Sequence, residues 1–135
     1  MKFTSTLLDD MPQIARWIEL DPFHCNRGTK PEWWITGADC YVAFCIEDDS
    51  GPVIYVRLEE DEDLIRLHCQ FGPENEVSKR RVAVAISEAL PAVEIMARQK
   101  GSTGLIYESS SPGLIKFLEK RGYVPAETNQ FVKIF

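Results

Sequence analysis

The chain has no apolar run near the ~20 residues that a membrane-crossing helix requires. Its opening residues, Met1, Lys2, Phe3 and Thr4, pass through Leu7 and Leu8 to Asp9 and Asp10 without the long apolar stretch of a secretory signal. No membrane association is expected, and a cytoplasmic location is. Basic residues are in the minority, 15 against 21 acidic ones, for a net charge of -6. A protein that grips a phosphate backbone needs a basic surface, so nucleic acid is not an expected partner. The four cysteines, Cys25, Cys40, Cys45 and Cys69, include no C-x-x-C pair, and Cys45 and Cys69 sit in apolar runs. Buried free thiols are expected instead of disulfides or a metal site. Internal repeats, low-complexity stretches and linkers are also missing.

What is present fits one domain over residues 1–135, because this length can bury one substantial core but hardly two. Lys2 to Leu8 alternates weakly as a first strand, and Asp9 or Asp10 can cap a helix running to Glu19 with Ile14, Trp17 and Ile18 as its apolar stripe. Asp21 to Asp39 reads as loops and a short helix around Trp33 and Trp34, which either line a groove or cover the core. Three β-prone runs then follow: Cys40 to Ile46, Val53 to Leu58 and Leu64 to Phe71. The acidic clusters Glu47 to Asp49 and Glu59 to Asp63 read as solvated turns between them, or as a face that attracts a cationic partner. Val82, Ala83, Ile86, Leu90, Val93 and Ala97 recur at helical spacing from about Ser78 to Lys100, and Pro91 is expected to kink or split that helix. Thr103 to Tyr107 is a strand. Pro112 opens a helix that Gly122 ends, and Tyr123 to Val124 and Gln130 to Phe135 close the chain as two strands.

This order, β, α, a loop-rich region, three strands, a long helix, β, α and two strands, predicts an α/β (α+β) fold with a mixed, mostly antiparallel sheet. It is similar to that of the GNAT superfamily of acyltransferases. The resemblance is sharpest in Pro112 to Tyr123, PGLIKFLEKRGY, which resembles that family's helix ending in a Glu-Lys-x-Gly-aromatic signature. The likeness implies an acetyl-CoA-dependent N-acetyltransferase acting on a small-molecule or peptide amine. It places the cofactor along Phe71, Val77, Ser78, Lys79, Arg80 and Arg81, with Ser111 on the last helix beside the thiol end. The loop from Gly72 to Arg81 departs from the family pattern. Val77 and Arg80 carry side chains where the family has little bulk, and Glu76 stands where it has Arg or Gln. Lys79, Arg80 and Arg81 either offset this with positive charge or are a solvated helix end.

For the chemistry, His68 and Glu108 are candidate bases because each lies in apolar context at a strand end. Leu118 occupies the register position of the family's usual tyrosine acid and cannot donate a proton. Tyr123 and Tyr107 are the remaining phenols near the implied thiol site. His24 and Cys25 do not read as a nucleophile pair, since adjacent side chains in an extended chain point apart. Two functions are compatible with these residues: an acyltransferase, or a fold retained as a binding or assembly module. The apolar strand Gln130 to Phe135 offers an edge through which a homodimer can form.

Overall fold

A computed structural model describes residues Met1–Phe135. Seven strands form one sheet in the order β1-β2-β3-β4-β5-β7-β6, where β1 is Lys2–Ser5, β2 Cys40–Asp48, β3 Gly51–Asp61, β4 Leu64–Phe71, β5 Gly104–Glu108, β6 Val124–Pro125 and β7 Gln130–Ile134. Every neighbouring pair is antiparallel except β4 and β5. That one parallel pair follows from the crossover between them, helix α3, Lys79–Lys100. The other helices are α1, Met11–Glu19, the single turn α2, Pro22–Cys25, and α4, Pro112–Glu119, with a 3-10 turn at Pro31–Trp34.

The expected element order is therefore observed throughout, with local differences. Glu47 and Asp48, and Glu59 to Asp61, read as turns, belong to β2 and β3, because strand pairing continues through them. The long helix runs unbroken through Pro91. Its neighbours Ala89, Leu90 and Val93 are buried against the sheet while Pro91 is exposed, so core burial holds the helix together. Within the segment expected as an open edge, Gln130 to Phe135, residues Gln130–Ile134 pair with β5, and β6 covers the other side at Phe131 and Val132.

Burial sorts the sheet into two faces, because side chains alternate along a strand. On one face Tyr55, Arg57, His68 and Gln70 meet α1, α2 and the Trp33–Trp34 turn. On the other, Val56, Leu58, Leu67, Cys69 and Tyr107 join Ala85, Ile86, Ala89 and Val93 of α3 in the main core. Arg57, though charged, is only 2% exposed. Its guanidinium hydrogen-bonds the carbonyls of Trp33 and Thr36, pairs with Glu59 at 3.2 Å and stacks over Trp33, which ties the early loop region onto the sheet. Of the four thiols, all free, Cys45 and Cys69 are buried as expected, while Cys25 is exposed and Cys40 half-buried.

One glycine fixes the turn after β4. A Cβ on Gly72 would lie 2.3 Å from Val77 Cγ2 and 3.1 Å from the Trp17 ring, so Val77 packs into the space this residue leaves. Gly72→Ala is expected to destabilise the protein by about 1–3 kcal/mol through overpacking, read as a lower denaturant midpoint with an unchanged slope.

Candidate functional site: the cleft between β4 and β5

The parallel pairing of β4 with β5 begins at Leu64–Gly104 and stops at Leu67–Tyr107. Beyond it β4 continues to Phe71 alongside β3, while Glu108 stays with β7 and the Ser109 amide donates to the Asn129 carbonyl. The sheet therefore divides, and the edge of His68–Phe71 on the β5 side has no partner strand. A cavity of about 200 Å³ opens at the division, and a larger one of about 460 Å³ lies between α3 and α4. Phe71, Ser111 and Leu114 line both, so the two adjoin as a groove along these side chains.

The outer end of the groove is the start of α3. Ser78 caps the helix, its Oγ accepting from the Arg81 amide at 3.2 Å and its carbonyl from the Val82 amide. The Val77 amide is used by the Pro73 carbonyl, which leaves the amides of Ser78, Lys79 and Arg80 without an acceptor in the chain. Three free donors at the positive end of a 22-residue helix suit an anion such as a pyrophosphate. The side chains divide unequally. Arg81 is committed elsewhere: Asp48 accepts its Nε at 2.7 Å and one Nη at 2.8 Å, and this fork holds the Asp48 carboxyl below the usual carboxylate range. Arg81 thus anchors α3 to the β2–β3 turn, with neither fork nor amide open to a ligand. Lys79 lies 3.6 Å from Glu74, and Glu76 pairs with Arg16, which neutralises one of the two loop acids. Arg80 is exposed and unpaired. Val77 is buried against Gly72, so its bulk is mostly withdrawn from the loop even though it borders the groove.

At the inner end, Leu67, His68, Cys69, Tyr107, Glu108 and Ser111 line the cavity together with Asp21 and His24. Of the two candidate bases, His68 is neutral. Burial lowers its pKa most, the charges of Arg66 and Arg57 lower it further, and Glu108 only partly opposes them, leaving it at about 3. Its Nε2 is 3.5 Å from Glu59 and forms no hydrogen bond, and its ring packs against Trp33. Glu108 has both oxygens taken, one by Arg66 at 3.2 Å and the other by Arg27 at 3.0 Å. Tyr123, a candidate site residue by sequence, lies apart from the groove. It lines neither cavity and is 2% exposed beneath Lys133, and burial followed by the charge of Glu94 raises its pKa. Strand β5 carries the phenol that does reach the cavity, Tyr107, which is buried beside Cys69 without a hydrogen-bond partner. Burial pushes the Cys69 thiol up to about 12 and the Tyr107 phenol well above its ordinary value, so both stay protonated at neutral pH. Ser111 caps α4 through the Leu114 amide, and Leu118 is fully buried.

The sequence reading missed Asp21 and its pairing with His24. Asp21 caps α2 by accepting from the Phe23 amide at 3.0 Å, and its other oxygen accepts from His24 Nδ1 at 3.0 Å and from Gln70 Nε2 at 3.1 Å. Burial works to raise its pKa, but the His24 hydrogen bond and charge, then Phe23 and Gln70, hold it below the ordinary carboxylate value. A signal was available: Asp-Pro-Phe-His reads as a cap, a first-turn proline and a histidine three residues after the cap.

A sheet divided between a parallel pair, with a helix start at one end of the division, defines the GNAT fold, and this chain has that fold. A probable acetyltransferase from Staphylococcus epidermidis superimposes with a TM-score of 0.70 at 12% identity over 98% of each chain. A ribosomal-protein-alanine N-acetyltransferase from Brucella melitensis gives 0.65 at 14% identity over 100% of both. The PaiA N-acetyltransferase from Thermoplasma acidophilum, solved in complex with coenzyme A, gives 0.63 at 15% identity over 99% of this chain and 98% of that one. No protein-family profile matches the chain, and no curated protein matches it. No helix is long and apolar enough to cross a membrane.

Two outcomes follow for the buried polar groups. Tyr107→Phe removes a hydroxyl that has no partner, so it should leave stability unchanged or raise it by up to about 2 kcal/mol in thermal melts of the free protein. Because the pKa of His68 falls from its ordinary 6.5 to about 3 on folding, the unfolded chain binds a proton between those values that the folded chain does not. That stability is fully present above pH 6.5 and is lost as pH falls toward 3. At pH 5 the loss is on the order of 2 kcal/mol, and His68→Gln should remove this part of the acid sensitivity in denaturant titrations at pH 7 and pH 5.

Proposed function

We propose that the protein is an acyl-CoA-dependent N-acyltransferase, with acetyl-CoA as donor and an amine as acceptor. The observation that carries this is the pair of adjoining cavities between the start of α3, where the amides of Ser78, Lys79 and Arg80 are free and Lys79 lines the wall, and the division of the sheet. A pyrophosphate fits the outer end. The amides and the α3 dipole supply the attraction, Arg80 adds a free charge, and Glu74 is the one loop acid without a strong partner. The groove between is lined by Phe71, Val82, Ile86, Leu114 and Phe117, which suits an apolar arm, and the unpaired edge of β4 offers it backbone hydrogen bonds. The donor supplies an acyl carbon activated by its thioester. The chain orients that carbon; Tyr107 lines the cavity where Leu118 offers no phenol, but its hydroxyl is buried. Coenzyme A bound to the PaiA structure, and the acetyltransferases that share the fold, support the reading.

Calorimetric titration with acetyl-CoA tests it. Binding in the micromolar range is expected, weakened about tenfold by Arg80→Glu, which places a negative charge beside the free amides. Arg81→Glu should instead lower the melting temperature, because it breaks the pair with Asp48. No heat and no thermal shift at millimolar acetyl-CoA would end the enzyme reading and favour a fold kept for binding.

A further inference from the structure

Four side chains in the inner cavity, His24, His68, Glu108 and Asp21, can in principle take a proton from an acceptor, and their surroundings separate them. His68 is largely buried, has the charges of Arg66 and Arg57 against its protonated form, and makes no hydrogen bond to Glu59, 3.5 Å away. Glu108 is held by two guanidiniums, one on each oxygen. His24 differs from both. It is 7% exposed and lines the cavity, with its ring wedged edge-on between Phe23 at 5.1 Å and Trp34 at 5.2 Å. Nδ1 is bound to Asp21, and Nε2 has no partner in the chain although it is not among the sealed buried atoms. Asp21 is itself fixed by the Phe23 amide and by Gln70, a fully buried residue of β4. A carboxylate bound to one ring nitrogen holds the proton there, stabilises the imidazolium and leaves the other nitrogen as acceptor.

Building on the acyltransferase reading, we propose that His24 Nε2 is the general base that takes the proton of the acceptor amine, and that Asp21 is its positioning residue. The charged and titratable groups around the ring are Asp21 on its own turn, His68 and Arg66 from β4, Glu108 from β5, and Arg27, which stacks over Phe23 at 3.8 Å. Nε2 takes the ammonium proton of the acceptor, so that the neutral nitrogen can attack the acyl carbon and replace sulfur there. The electron pair of the broken carbon–sulfur bond stays with sulfur, which receives the second nitrogen proton through solvent. His24 releases the ammonium proton to solvent, so acyl group, protons and electrons balance. An acceptor that is already neutral needs only the second transfer, and the base comes from the α2 side of the sheet.

The test compares wild type, His24→Gln and Asp21→Asn, the last keeping the helix cap because asparagine caps as well as aspartate. Acetyl transfer is measured to hydroxylamine, which is already neutral at neutral pH, and to lysine, spermidine and an alanine tripeptide, whose amines must lose a proton. His24→Gln should slow transfer to the second group by about 100-fold or more and spare hydroxylamine. Asp21→Asn should slow the same transfers and likewise spare hydroxylamine. Independently of turnover, nitrogen NMR of the free protein resolves its two histidines, with His68→Gln as the assignment control. The His24 signals should show the Nδ1–H tautomer in wild type and lose that bias in Asp21→Asn. Equal slowing with hydroxylamine and the other amines, or an Nε2–H tautomer in wild type, overturns the assignment. Transfer that survives His24→Gln removes only the base, whereas a wild type that acylates none of the four removes the enzyme reading and the base together.

Discussion

The structure depends on where one strand pair stops. Only β4 and β5 run parallel, and after Leu67–Tyr107 each follows a different neighbour, β4 with β3 and β5 with β7. A parallel pair needs a long crossover, so the same topology that divides the sheet also delivers the N-terminus of α3 to the open end of the division. The groove, its unpaired strand edge and its anion-binding end are thus consequences of one connection. Gly72 lets that connection turn tightly, because Val77 fills the place its side chain would take.

Alternation along the divided strands then distributes the chemistry. His68 and Gln70 of β4, with Glu108 of β5, face the early helices, while Cys69 and Tyr107 face α3 and α4. On the first face His24 is tied to Gln70 through Asp21, beside His68, whose Nε2 makes no hydrogen bond; on the second, the Tyr107 hydroxyl makes none. The remaining charged groups are paired in ways that build structure. Arg57 ties down the Trp33–Trp34 turn, Arg66 and Arg27 hold Glu108, and Arg81 locks α3 to Asp48.

The fold was legible in the sequence because it is written in local signals: β-prone runs ended by glycine, proline and acidic turns, the helical spacing from Val82 to Ala97, and the closing PGLIKFLEKRGY. Pro91 misled because a local penalty was outweighed by burial of Leu90 and Val93. The site was legible only in outline. Ser78, Lys79 and Arg80 lie where expected, but nothing local tells Arg80 from Arg81, and the difference is a carboxylate 33 residues away. His68 and Glu108 do reach the cavity, yet their partners Glu59, Arg66 and Arg27 come from other elements and decide what they can do. Tyr123 and Tyr107 are equally plausible phenols by position, and only the packing separates them. His24 was discounted beside Cys25, when its relevant neighbour was Asp21, one helical turn back.

The central claim is that acyl-CoA lies in the groove with its phosphates on the start of α3. Titrating isotopically labelled protein with coenzyme A and following backbone amide shifts tests this residue by residue. The account expects the largest changes at Ser78, Lys79 and Arg80, continuing along His68 to Phe71. Changes confined to other surfaces, or none at saturating coenzyme A, would contradict it.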